Sequence, residues 1–90
     1  MELPDSLMIQ AKLSMRHLIR ILEVYQLSAD HVVQIVCYIT SEHYKDVVEQ
    51  VWKEQTKDSI SQKMLTCVVM PRLPRNALVE WHAVATQQLP

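Results

Sequence analysis

Glycine is absent from this chain of 90 residues. Globular proteins contain about 7% glycine on average, so roughly six would be expected at this length. Phosphate-binding loops need glycine because their backbone must approach the phosphates at φ values that other residues resist. The sequence therefore excludes a Walker loop and a dinucleotide-binding fingerprint within this chain, and any ATP site of the protein would lie elsewhere.

An excess of positive charge and long apolar runs are missing too. Nine Lys and Arg residues stand against ten Asp and Glu, and the formal net charge is −1. Without a basic stripe to displace counterions from a polyanion, we predict no nucleic-acid partner. The longest apolar stretch, within residues 32–39, is far below the roughly 18 residues that a membrane span needs. The acidic start Met1-Glu-Leu-Pro-Asp5 is unlike a signal peptide, so we expect a cytoplasmic protein with no membrane partner.

Cysteine occurs only as Cys37 and Cys67, without a CxxC spacing. Cytoplasmic thiols are normally reduced, so we expect both to be free. Cys37 falls in a covered strand, and Cys67 is predicted to line a core or a cleft. A reactive Cys67 would need a cation or a helix N-terminus to lower its pKa, and neither adjoins it in the sequence.

The length indicates one domain over residues 1–90. A chain this short buries only about 60% of its unfolded surface. We therefore expect it to depend on association with other subunits or on a longer parent chain.

Apolar periodicity predicts five elements. Two are amphipathic helices, and three are strands rich in apolar and β-branched residues. Ser41 is the predicted N-cap of the second helix, and polar loops or a tail are expected at Thr56 to Lys63, Pro71 to Asn76 and Gln87 to Pro90. In chain order the elements are a helix after Pro4-Asp5-Ser6 through Tyr25, a strand over His31–Thr40, a helix to Gln55, and strands over Met64–Met70 and Ala77–Thr86.

The order α-β-α-β-β predicts an α+β fold, with two helices packed on one face of a mixed sheet. The opposite face of the sheet then lacks a cover, which favours self-association.

Glu80 and His82 are the first candidate site residues, because side chains two apart on a strand share a face. They could act as acid-base partners, or they could be an ordinary pair at a subunit interface. We predict no metal site, since zinc takes at least three protein ligands. Arg72 and Arg75 flank Leu73-Pro74 and could bind an anion, or they could be solvated charges on a turn.

The run Arg72-Leu-Pro-Arg-Asn-Ala-Leu-Val-Glu-Trp-His-Ala-Val-Ala85 resembles the C-terminal signature of the Rid family, the reactive intermediate deaminases also known as L-PSP endoribonucleases. The resemblance extends through Cys67 and Asp30-His-Val-Val-Gln-Ile-Val-Cys-Tyr-Ile-Thr40 back to Gln10, over about residues 10–86. It implies a chorismate mutase-like fold, in which a six-stranded sheet backed by two helices forms trimers with ligand clefts between subunits. The family's glycine-containing N-terminal hairpin has no counterpart here, so a truncated domain and a C-terminal fragment of a longer protein are expected.

Carried over residue by residue, the resemblance implies a ligand cleft with Cys67 at the family's strand cysteine and Glu80 at its acidic residue. Leu65 stands where the family has its substrate-binding arginine, and a leucine cannot grip a carboxylate with a bidentate fork. Glu49 and His17 replace two cleft asparagines. Arg72, Arg75 and His82 complete the candidate cleft, and Glu80 is the candidate catalytic residue.

A narrower resemblance concerns Leu73-Pro-Arg-Asn-Ala-Leu-Val-Glu-Trp-His82, which is similar to the C-terminal Rid-type module of eukaryotic diphthine-ammonia ligases. It implies an assembly module, a homotrimer or a pairing with other Rid-type modules. The parent protein would use ATP, bound outside this segment, to amidate diphthine on a translation elongation factor. The alternative is a stand-alone Rid protein that hydrolyses reactive imines or enamines, with no cofactor in this segment in either case.

Overall fold

The computed structural model describes residues 4–56 and 65–87, and it confirms the predicted α-β-α-β-β order. Short 3-10 turns precede β1, α2 and β3. The five main elements are α1 (Ser6–Val24), β1 (Val32–Ile39), α2 (Lys45–Thr56), β2 (Leu65–Val69) and β3 (Val79–Ala85).

The described strands form one sheet in the order β2-β1-β3. β1 pairs with β2 in parallel and with β3 in antiparallel orientation, so the sheet is mixed, as predicted. β1 is the central strand, which explains its run of apolar and β-branched residues. β2 and β3 are the two edge strands of the described sheet.

Both helices pack on the same face of the sheet and enclose the core. α1 lies against β3 and α2, whereas α2 also contacts β2. The apolar positions of each helix recur at helical spacing, so a single stripe of each is buried. The largest fully buried side chains are Leu7, Met15, Val32, Ile35, Cys37, Ile39, Val48 and Val51.

Two hydrogen bonds fix α1 to β3. The side-chain Oε1 of Gln10 accepts a hydrogen bond from the backbone N–H of Leu78 at 2.9 Å. The adjacent residue of α1, Ala11, is bound as well, because the indole Nε1 of Trp81 on β3 donates to its carbonyl oxygen at 3.3 Å. These two contacts hold α1 in a fixed position over β3, an edge strand of the described sheet.

The C-terminus of α1 is closed by a Schellman motif built without glycine. The N–H of Leu27 donates to the Leu22 carbonyl at 2.8 Å, and the N–H of Gln26 donates to the Glu23 carbonyl at 2.9 Å. Gln26 takes the left-handed position, with φ of 60°. A residue with a Cβ therefore occupies a place that favours glycine.

The ends of the second helix differ slightly from the prediction. Ser41 does act as a cap, but its hydroxyl accepts from the N–H of His43 and caps the 3-10 turn before α2. Thr56 is helical, and its hydroxyl donates to the Trp52 carbonyl at 2.8 Å. The remainder of the predicted loop to Lys63, and the tail after Gln87, lie outside the described residues. Within residues 4–56 and 65–87, neither helix has the length and apolar character needed to cross a membrane.

Candidate functional site

The face of the sheet turned away from the helices carries a mixture of apolar and polar side chains, and we call it the open face. Pairing register and alternation along the strands place eight described residues there. None belongs to the helix-side core, and Val84 is 43% exposed. The open face consists of Gln34, Val36 and Tyr38 on β1, Thr66 and Val68 on β2, and Glu80, His82 and Val84 on β3.

Glu80 and His82 share the open face, as their spacing predicts. Glu80 lies directly opposite Tyr38, and His82 lies opposite Val36. Side chains at such cross-strand positions have Cβ atoms about 4.5–5.5 Å apart. The carboxylate, the phenol and the imidazole therefore lie near one another on the open face, where they are suited to hold water or a polar ligand. Both β3 residues are exposed in the isolated chain.

Cys67 lies on the other side of the sheet, beneath the helices. It packs against the core together with Leu65. Burial is the main cause that raises the pKa of Cys67; the nearby Glu49 carboxylate raises it further, and the Lys45 ammonium opposes the change. A thiol with a raised pKa is mostly protonated at neutral pH and is a poor nucleophile.

A groove of about 270 Å³ separates α1 from the first half of β3. Ser14, His17, Leu18 and Ile21 line its helix side, and Glu80 and Trp81 line its strand side together with Ala77 and Val79. The Ser14 hydroxyl is engaged with the Gln10 carbonyl at 2.6 Å. Glu80 thus borders both the groove and the open face, and His17 is the second ionisable group in the groove.

Arg72 and Arg75 lie on the turn that leads into β3, and both are exposed. Arg75 has φ of 59° and the following Asn76 has φ of 56°. Two consecutive left-handed residues with side chains are costly, so the turn is held in place by its surroundings. Buried Leu73 anchors one side of it, and Pro74 fixes the backbone where the 3-10 turn begins.

Within one chain, the predicted cleft residues do not form a single cluster. Glu80 and His82 are neighbours on the open face, whereas Cys67 lies on the helix side and the two arginines lie on the turn. Tyr38 and Ser14 were missed by the sequence reasoning, and only the strand register and the helix-strand packing reveal them. Among residues 4–56 and 65–87, no three His, Cys, Asp or Glu side chains are grouped to hold a metal ion.

Comparison with models of known protein families finds a match that spans nearly the whole sequence. The sequence model described as Endoribonuclease L-PSP matches residues 1–87. A search of curated proteins finds no significant match.

Solved structures with this fold include proteins from bacteria and from eukaryotes. Escherichia coli TdcF, solved with bound serine, has a TM-score of 0.84 and 24% identity, with 97% of this chain and 69% of TdcF covered. YyfA of Yersinia pestis, described as a Rid family protein of unknown function, has a TM-score of 0.83 and 20% identity over 92% of this chain and 65% of YyfA. Yeast Mmf1 has a TM-score of 0.81 and 18% identity over 96% of this chain and 67% of Mmf1. At these identities the structural similarity shows the fold, which confirms the predicted fold class.

Proposed function

Because the chain belongs to the Endoribonuclease L-PSP family, also called the Rid family, we propose that it is a Rid-type assembly module without deaminase activity of its own. The main observation behind the absence of deaminase activity is the residue at position 65, which is leucine. It occupies the position where the resemblance expects the substrate-binding arginine, and its apolar side chain packs against the core. Among the described residues of the open face there is no Lys or Arg to grip a carboxylate in its place.

The open face supports assembly as the role of the module. Val84 leaves 43% of its surface exposed there and Val68 is half-buried, and both lie beside polar groups that could pair across an interface. Exposed apolar side chains with polar groups around them are a common feature of surfaces where proteins associate. We propose that this face associates with the same face of other copies in a homotrimer, or that it binds other Rid-type modules.

Molar mass in solution tests the assembly. Light scattering of the purified chain is expected to give three times the monomer mass, and Val84→Glu is expected to give the monomer, because a buried unpaired carboxylate opposes association. Val24→Glu is the matched control, since Val24 is 78% exposed on α1, away from the open face. A monomeric wild type would contradict the homotrimer, and a trimer that survives Val84→Glu would contradict the proposed interface.

The parent protein that we propose is of the diphthine-ammonia ligase type. The support is the Trp81-His82 pair that follows Glu80 in the Rid-type signature. The ATP site and the contact with the elongation factor would then belong to other parts of that protein. An antibody against Gln87–Pro90 and Thr56–Lys63 is expected to detect a band several times larger than 10.5 kDa on a denaturing gel of source tissue. A band at the size of this chain would refute the larger parent.

Imine hydrolysis by a stand-alone Rid protein is the second candidate function. The observation in its favour is the Glu80 carboxylate, which lies opposite Tyr38 and beside His82. Glu80 would orient water toward the carbon of the C=N bond, and addition of that water releases ammonia and leaves a carbonyl product. If Arg72 or Arg75 holds the substrate, wild type binds a 2-oxo acid, and alanine at that arginine abolishes the binding. Absence of 2-oxo acid binding in both wild type and Leu65→Arg would remove this candidate.

A further inference from the structure

The two cysteines, far apart in the sequence, are neighbours in the sheet. Cys37 on β1 is the register partner of Cys67 on the parallel strand β2. Both side chains point to the helix side, where Cys37 is fully buried and Cys67 is half-buried. Two thiols therefore stand side by side in an apolar layer, and one of them reaches the surface at an edge strand.

We propose that Cys37 and Cys67 form a two-coordinate thiolate site for a soft monovalent metal ion, copper(I). Neighbouring strands lie about 4.8 Å apart. Zinc–sulfur bonds are about 2.3 Å long, and copper(I)–sulfur bonds are similar or slightly shorter. Two such bonds in a line separate the sulfurs by somewhat more than about 4 Å, which is close to the strand spacing. Thiolate ligands favour copper(I) over the harder divalent ions.

A disulfide fits the same pair less well. It needs Cβ atoms about 3.5–4.5 Å apart and a sulfur separation near 2.05 Å. Five consecutive register pairs from Ile35–Leu65 to Ile39–Val69 hold the two strands at sheet spacing. Closing the thiols to bonding distance would draw the Cβ atoms closer than the usual sheet spacing, whereas a bridging ion leaves that spacing unchanged.

Zinc is a poor candidate for the same place. It takes four ligands in structural sites and at least three from the protein in catalytic sites. No third His, Cys, Asp or Glu joins the pair within residues 4–56 and 65–87. The site therefore selects an ion that is satisfied by two thiolates.

Two charged residues of α2 tune the site. Copper(I) binding releases two thiol protons and leaves a bis-thiolate complex with one negative charge. Lys45 begins α2, Glu49 lies one helical turn later on the same face, and α2 packs against β2, the strand that carries Cys67. A negative complex is stabilised by Lys45 and destabilised by Glu49. Substitutions of these two residues therefore test the charge of the complex, and the two cysteine variants test the number of sulfur ligands.

The experiment titrates the reduced full chain with copper(I) alone, without oxygen, against a coloured copper(I) chelator. We expect one ion per chain, no comparable zinc binding, and loss of the site in both Cys37→Ala and Cys67→Ala. Glu49→Gln should tighten binding and Lys45→Gln should weaken it, each on the order of three- to tenfold. His82→Gln is the control, because His82 lies on the open face, and its affinity should equal that of wild type.

Retention of copper(I) in Cys37→Ala would overturn the proposal, since Cys67 alone would then be the ligand. If Cys37→Ala fails to fold by circular dichroism, X-ray absorption of the copper-loaded wild type decides. A shell of two sulfurs supports the site, and nitrogen or oxygen donors in the shell refute it. Loss of both free thiols when the metal-free chain is exposed to hydrogen peroxide, which accepts the two electrons, would indicate a disulfide and would also refute it.

Discussion

The hydrogen bond from Leu78 to Gln10 is expected to be a measurable part of the stability of this small domain. Its donor is a backbone N–H just before β3, and its acceptor is a side-chain oxygen on α1 at 2.9 Å. Gln10→Met keeps the length and flexibility of the side chain but removes the acceptor. The half-buried N–H of Leu78 is then left without its partner.

An unsatisfied buried donor costs about 1–3 kcal/mol. Because Gln10 and Leu78 are half-buried, we expect a loss in the lower part of that range, about 1–2 kcal/mol in the free energy of unfolding. For a domain of this size, each kcal/mol lowers the melting temperature by about 4–8 °C. Gln10→Glu keeps an acceptor oxygen and should lose less stability than Gln10→Met.

Urea unfolding followed by circular dichroism measures the difference. The control is Gln50→Met on α2, where the amide donates to exposed Glu54 at 3.1 Å. That substitution should change the free energy of unfolding by less than about 0.5 kcal/mol. If Gln10→Met is as stable as Gln50→Met, the bond does not hold α1 to β3 and the reasoning fails.

Two further predictions concern the αL residue and the buried thiol. Gln26→Gly should raise the free energy of unfolding by about 0.5–1 kcal/mol in urea, because glycine relieves the φ of 60° at the end of α1 but adds unfolded-state entropy. If Gln26→Gly has no higher free energy of unfolding than Gln26→Ala, the backbone at this position is not strained. Burial, followed by the neighbouring Cys67, raises the pKa of Cys37 above its ordinary value of 9.0. The unfolded chain therefore loses this proton first as pH rises, and stability should fall above about pH 9 by about 1.4 kcal/mol per pH unit. Cys37→Ala should have a shallower slope in thermal melts between pH 8 and 11, and an equal slope would refute the assignment.

Element order and the helix-covered face were predictable because they depend on local periodicity. The apolar positions of α1 and α2 recur every three or four residues, and β1 carries a run of β-branched residues that suits a central strand. Ser41 was recognisable as a cap from its residue type, although the 3-10 turn before α2 was not.

Residue pairs across strands could not be predicted, because they depend on register. Tyr38 opposite Glu80 and Cys37 beside Cys67 follow from pairings between distant parts of the chain. The same holds for the contact of Gln10 with Leu78, which depends on where α1 settles over the sheet. A candidate site on the sheet was therefore visible in the sequence only as isolated residues.

The left-handed residues were also hidden from the sequence. Such positions are normally found through glycine, and this chain has none. Gln26, Arg75 and Asn76 take these positions instead. Asparagine tolerates this region, so the residue type of Asn76 carries a weak signal, whereas those of Gln26 and Arg75 carry none.

Imine hydrolysis by the purified chain tests the central claim most directly. An imine generated in solution by an amino acid oxidase is followed through formation of its 2-oxo acid, with wild type, Glu80→Gln and buffer compared at equal concentration. We predict that wild type gives the same rate as buffer, because Leu65 cannot hold the substrate carboxylate. An acceleration by wild type that is lost in Glu80→Gln would show that the module is an enzyme and would contradict the account.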